Sequence, residues 1–99
     1  MPIKASVKGH ELTVAVEGRF DFSAHQEFRD AYEEAGASVS KYNIDMSKAT
    51  YLDSSALGML LLLRDHAGGE SANVRIMNCN ADVKKILTIS NFEQLFTID

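Results

Sequence analysis

Cysteine is nearly absent from this chain: Cys79 stands alone among 99 residues. A lone thiol excludes an intramolecular disulfide. It also excludes any zinc site that needs two or more thiolates from this chain. Proline is as scarce, with Pro2 alone, while the charged fraction is 24% and the hydrophobic fraction 45%. That balance argues against a disordered or low-complexity polymer. Long apolar runs are missing too. The longest, Ala56 to Leu63, is interrupted by Gly58 and falls far short of the roughly 20 residues a spanning helix needs. Met1 to Lys8 carry neither the basic stretch nor the apolar block of a signal peptide, so a cytoplasmic protein with no direct membrane insertion is expected. Positive charge is the minority sign: Lys plus Arg is 10 against 14 for Asp plus Glu, a formal net charge of −4. Such a domain is a poor partner for nucleic acid or an anionic membrane. The length suits one domain over residues 1–99, with room for a single core.

Alternation organises what is there. Ile3, Ala5 and Val7 alternate with Lys4, Ser6 and Lys8, the pattern of a half-buried strand. After the short turn Gly9-His10, Leu12, Val14 and Val16 repeat the pattern, so the two segments read as an antiparallel hairpin. Gly18 to Phe22 is expected to be a connecting loop. Ser23 then opens a helix, with Gln26 placed for a capping box. Ala24, Phe28, Ala31, Tyr32 and Ala35 share one face of it, and Gly36 suits its left-handed stop. Tyr42, Ile44 and Met46 mark a third strand, followed by a loop to Asp53. A second helix is predicted from about Ser54 to His66, ended by Gly68-Gly69. Val74 and Ile76 mark a fourth strand. Asn80 caps a third helix carrying Val83, Ile86, Leu87 and Ile89, Asn91 is its left-handed stop, and Leu95 to Ile98 form a last short strand. The order β-β-α-β-α-β-α-β implies an α/β fold. Its sheet is mixed, of four to five strands, with helices packed on it through right-handed crossovers.

The segment Tyr51-Leu52-Asp53-Ser54-Ser55-Ala56-Leu57-Gly58 concentrates the chemistry. Asp53 is a good N-cap and Ser54 falls at the first helical position, where backbone N–H groups and the positive end of the dipole tolerate an added phosphate. The helix beyond is apolar nearly all round, so one side is buried and the other is buried or used for binding. Gly58 within it costs on the order of 1 kcal/mol relative to alanine, which suggests a close backbone approach there. Read alone, Asp-Ser-Ser is more often a helix cap than a functional motif.

The frame around the motif changes that balance. Asp53-Ser54-Ser55-Ala56-Leu57-Gly58 resembles the signature of the STAS domain family, particularly the small bacterial anti-sigma-factor antagonists: aspartate, serine, serine or threonine, then Gly-Leu-Gly. Ala56 stands where glycine is usual. Gly18-Arg19-Phe20-Asp21 resembles the family's glycine-x-x-aspartate, and Asp45-Met46-Ser47 its Asp-Leu-Ser. Ile86-Leu87 through Ser90-Asn91-Phe92 resembles the segment closing its third helix, with Asn91 replacing a glycine. The resemblance implies a STAS-like domain that is phosphorylated on Ser54, with Ser55 as the second choice. It implies no enzyme activity and no cofactor of its own. The implied partners are an anti-sigma factor that is also a serine kinase, bound by the unphosphorylated form and released by phosphorylation, and a serine phosphatase that resets the switch. A monomer is the default. The contact surface is expected to centre on Asp21, Asp53, Ser54, Ser55, Ala56 and Leu57. Phe20 and Phe22 are apolar anchors if exposed and core residues if not. The family's common fourth, C-terminal helix has no counterpart, so contacts through it are not expected. The rival reading is a constitutive STAS accessory subunit of an ABC-type membrane transporter, for which Leu60 to Leu63 offer a permanent apolar interface.

A phosphoserine adds about −1.5 to −2 charges at pH 7. Beside Asp53 and Asp21 it meets like charge, with Arg19 as the only cation in those two segments. Little change in fold and a large loss of partner affinity are expected. Elsewhere the residues read blandly. His10, His25 and His66 are scattered surface histidines, and Cys79 has no activating cation beside it. Glu33-Glu34 and Lys84-Lys85 are solvated helix faces. No Gly-x-Ser-x-Gly elbow or phosphate-binding glycine loop is present.

Overall fold

The computed structural model describes residues 3–99; Met1 and Pro2 of the expected 1–99 domain lie outside the described residues. The strands are β1 (Ile3–Lys8), β2 (Glu11–Phe20), β3 (Lys41–Leu52), β4 (Val74–Met77) and β5 (Thr97–Ile98). The helices are α1 (His25–Glu34), α2 (Ser54–His66) and α3 (Ala81–Ile89). The five strands form one sheet in the order β1-β2-β3-β4-β5. β1 runs antiparallel to β2 and every other pair is parallel. The expected mixed sheet and the expected element order are both present. Each crossover steps one strand in the same direction, so right-handed connections place all three helices on one face. Leu12, Val14, Val16, Ile44, Met46 and Ile76 on that face are fully buried and meet Phe28, Leu60, Leu63, Val83 and Leu87 from the helices.

Several boundaries differ from expectation, each for a local reason. β2 does not stop before Gly18 but continues through Arg19 to Phe20, and β3 continues through the segment expected as a loop. The two pair to their ends, Glu17 with Lys48, Gly18 with Ala49, Arg19 with Tyr51 and Phe20 with Leu52. Register shifts after Ala15 and after Gly18 break the two-residue period. Gly18 takes φ +74° there, a bulge conformation that suits glycine. The Ser23–Gln26 capping box does not form. Instead Asp21 caps a short 3-10 turn, Phe22–Ala24, and α1 begins at His25. In β1 only Ile3 is buried, while Ala5 and Val7 are exposed. Ile89 is 70% exposed rather than part of the third helix's buried face.

In α2, Ala56, Met59, Leu60 and Leu63 are buried, whereas Leu61 and Leu62 are 39% and 52% exposed. Leu60→Ala or Leu63→Ala would cost about 2–5 kcal/mol at such sites. Gly58 does not mark a close approach: a Cβ built there meets nothing within 4 Å. Gly58→Ala is therefore expected to stabilise the protein, by up to about 1 kcal/mol, through helix propensity. Urea denaturation checks this. A higher midpoint is expected, and a lower one would show that the position needs glycine after all.

Candidate functional site

The site is built where β2 and β3 end together. Phe20 and Leu52 are partners in register, and the Asp53 N–H donates to the Phe20 carbonyl at 3.4 Å. Asp21 and Asp53 are the next residue of each chain segment, so two carboxylates emerge side by side at the edge of the helical layer. Both then do the same work. Asp21 accepts from the Ser23 N–H at 3.0 Å and from the Ser23 hydroxyl. Asp53 accepts from the Ala56 N–H at 3.0 Å and from the Ser55 hydroxyl at 2.6 Å. The segments Asp21-Phe22-Ser23 and Asp53-Ser54-Ser55 are thus two copies of one Asp-x-Ser cap on neighbouring parallel strands. In each copy the serine is held by its aspartate and the middle residue is pushed outward. Those middle residues are Phe22, 69% exposed, and Ser54, also exposed.

The charges follow from these bonds. The Ser55 hydroxyl and then the Ala56 N–H hold the Asp53 carboxyl below the usual carboxylate range. The Ser23 hydroxyl and N–H do the same for Asp21, against a smaller opposing push from the Asp53 charge. Both are ionised at neutral pH, and Asp21 feels the Asp53 charge weakly. Arg19 partly offsets them: its guanidinium lies 3.6 Å from Asp21 Oδ2 and 4.6 Å above the Tyr51 ring. The side chain is 67% exposed, which limits what the ion pair contributes.

The other expected contact residues separate by burial. Leu57 is half-buried at the site. Ser55 is half-buried and bound to Asp53. Phe20 is fully buried, 5.0 Å from the Phe28 ring, and Ala56 is fully buried on the inner face of α2; neither offers a surface. Tyr51, 40% exposed, belongs to the surface and was not foreseen. Outward alternation on a third strand reaching Leu52 was the signal that would have found it. His25 stacks on Phe22 at 5.2 Å, and His66 packs against Tyr32 and Tyr42. Cys79 is half-buried, and burial pushes its thiol up.

The sequence profile of the family described as "Mlab, STAS domain" matches residues 3–97. The chain belongs to the STAS domain family. A STAS-domain containing protein of Pseudomonas aeruginosa (strain UCBPP-PA14), PA14_20770, is 63% identical over 93 residues, spanning 94% of this chain and 92% of that one. The STAS fold is shared with the anti-sigma factor antagonist SpoIIAA in its unphosphorylated form, at TM-score 0.76 and 15% identity over 98% of this chain and 86% of that one. It is shared equally with a sulfate transporter family protein from Wolinella succinogenes, at TM-score 0.78 and 12% identity over 95% and 80%. At those identities the likeness is one of fold.

The caps make acid stability a test of the site. A carboxyl whose folded pKa is depressed stabilises the fold above its unfolded pKa, and that contribution is lost as pH falls through the folded value. Asp53→Asn keeps an oxygen for the Ala56 N–H but removes the titration. Its melting temperature is expected to fall less steeply than the wild type's below about pH 4. Asp53→Ala is expected to melt lower by a few degrees at pH 7 as well, on the order of 5 °C. Thermal melts followed by circular dichroism from pH 7 to pH 3 check both. Identical acid slopes for wild type and Asp53→Asn would contradict the assignment.

Proposed function

We propose that this STAS domain is a phosphorylatable interaction module, an anti-sigma-factor antagonist. Unphosphorylated, it binds a partner that is both anti-sigma factor and serine kinase and so frees the sigma factor. The partner transfers a phosphoryl group from its ATP to the Ser54 hydroxyl, and the phosphorylated domain is released. A serine phosphatase restores the hydroxyl. This chain contributes the acceptor and the docking surface; ATP and magnesium belong to the partner. One observation carries the choice of residue. Ser54 is exposed at the first turn of α2 and its hydroxyl makes no hydrogen bond among the described residues, whereas the Ser55 hydroxyl is tied to Asp53 at 2.6 Å.

Release follows from the local charges. The N-terminus of α2 supplies about half a positive charge and Arg19 one more, against two ionised carboxylates, Asp21 and Asp53. A phosphate therefore arrives where the balance is already slightly negative. In the free domain, water and salt screen the excess, with a Debye length of about 8 Å at physiological ionic strength, so the fold is unaffected. In a complex the same charges are desolvated between two surfaces, and like charges then cost several kcal/mol. Exposed Phe22 and Tyr51 are the apolar anchors such an interface uses.

A second reading rests on a different observation. Leu61 and Leu62 are 39% and 52% exposed on α2, a surface that suits a permanent neighbour such as the ATPase of a membrane transporter.

Intact-mass analysis of the protein taken from its native cells separates the two. The switch predicts a species heavier by one phosphate that disappears on phosphatase treatment and in Ser54→Ala. Ser54→Asp is expected to keep the wild-type circular dichroism spectrum while losing the partner that Ser54→Ala retains. No phosphate under any growth condition, with stable co-purification of a membrane ATPase, would establish the second reading instead.

A further inference from the structure

The free edge of the sheet carries a second surface, on the side of α1 away from the phosphorylation site. β1 is the edge strand, and Gly9-His10 joins it to β2 as a two-residue turn, with Gly9 at φ +63° and Lys8 opposite Glu11. In a two-residue hairpin the residues flanking the turn exchange both backbone bonds, and bonded pairs then alternate. Lys8, Ser6 and Lys4 therefore bond to β2, and the backbone N–H and C=O groups of Ile3, Ala5 and Val7 point outward. The side chains of the same three residues lie on the face that carries α1. Ile3 is covered, but Ala5 is exposed and Val7 is 51% exposed. Edge strands are usually short, charged on this face or covered; this one is six residues long and open.

Above it, α1 presents a stripe of carboxylates. Ile3, Ala5 and Ala31 floor a groove of about 280 Å³ whose wall is Glu27, Asp30 and Glu34. None of the three carboxylates joins an ion pair among the described residues. One oxygen of Glu27 is buried without a hydrogen-bond partner among the described residues. The two lysines of the strand do not serve this groove: they lie on the opposite face, where Lys4 meets Glu17 at 3.3 Å.

The geometry points to a docking site for a basic β-strand of a partner protein, added to the edge of β1 with its Lys or Arg side chains on the α1 face. Backbone groups of Ala5 and Val7 supply the ladder bonds. The aliphatic stems of the basic residues cover Ala5, Val7 and Ala31, and their head groups reach Glu27, Asp30 and Glu34. A second copy of this chain is the wrong occupant. Pairing two β1 strands across a two-fold axis would set two unneutralised acidic stripes against each other along the seam.

The probe is a blocked peptide of about seven residues alternating Lys and Val, with the Glu-Val peptide as control. It is added to the ¹⁵N-labelled protein, and amide shifts are followed. Shifts are expected in Ile3–Lys8 and on the Glu27–Glu34 stripe, and not at Ser54. Binding should weaken several-fold when salt is raised from about 50 to 500 mM. Ala5→Pro removes an outward N–H that the native sheet does not use, a substitution edge strands tolerate, and should weaken binding by about tenfold or more. Glu27→Gln with Glu34→Gln leaves the strand intact and should weaken it several-fold and flatten the salt dependence. Equal binding of the Glu-Val peptide overturns the proposal. So do undiminished binding by both variants, shifts centred elsewhere, and self-association through β1 in the absence of peptide.

Discussion

The parallel pairing of β2 with β3, carried in register to Phe20 and Leu52, is the constraint on which the site depends. Parallel strands that end together deliver the next residues of both chains to the same place, and here both are aspartates. Each aspartate turns its segment into the following helical turn by a similar pair of bonds, to the serine hydroxyl two residues on and to a backbone N–H, that of Ser23 for Asp21 and of Ala56 for Asp53. The cap sets the helix start, ties down one serine, and leaves the residue between them facing solvent. Stability and presentation of the site are thus one piece of local chemistry. The buried residues beneath it, Phe20, Ala56 and Leu52, hold the two caps at a fixed spacing without taking part in contact.

Under the proposed switch, this arrangement lets phosphorylation of Ser54 act on a partner while leaving the fold largely unchanged. The Ser54 side chain makes no hydrogen bond among the described residues; the Asp53 side chain makes the capping bonds. The nearest charges are on exposed or half-exposed groups, Asp21, Asp53 and Arg19, which water screens while the domain is free. The core that holds the sheet to its helices is apolar on that face. A partner that excludes water from the same patch senses the site's charge. If Ser54 is the switch, the geometry separates folding free energy from binding free energy at a single residue.

Much of the architecture was legible because alternation and caps are local signals. Leu12-Val14-Val16, Ile44-Met46, the Asp53 and Asn80 caps, and the left-handed Asn91 all sit as their neighbours in sequence imply. The misjudged boundaries have tertiary causes. Gly18 and the segment from Lys48 to Leu52 read as loop, yet bulged parallel pairing holds both as strand. Ser23 and Gln26 spell a capping box, but Asp21, two residues earlier, takes the Ser23 N–H first. Ala5 and Val7 alternate like core residues, and only the position of α1 leaves them uncovered. The motif itself was visible around Asp53, but its twin at Asp21 was not, because it depends on two strand ends lying together. The choice between Ser54 and Ser55 depends on which hydroxyl the carboxylate accepts, which spacing does not decide. Gly58 suggested contact by its cost alone, and no neighbour is there.

The proposed release requires a net negative field at Ser54, and the phosphate itself can report it. A phosphoserine has a second pKa of about 6 in the absence of perturbing charges. Phosphorus-31 NMR of the Ser54-phosphorylated protein, titrated at low salt, measures that value in place. If Asp53 and Asp21 dominate, the second pKa lies above 6 and falls back towards it in Asp21→Asn. A second pKa clearly below 6 would mean that the α2 N-terminus and Arg19 capture the phosphate, and release by like-charge repulsion would then be contradicted.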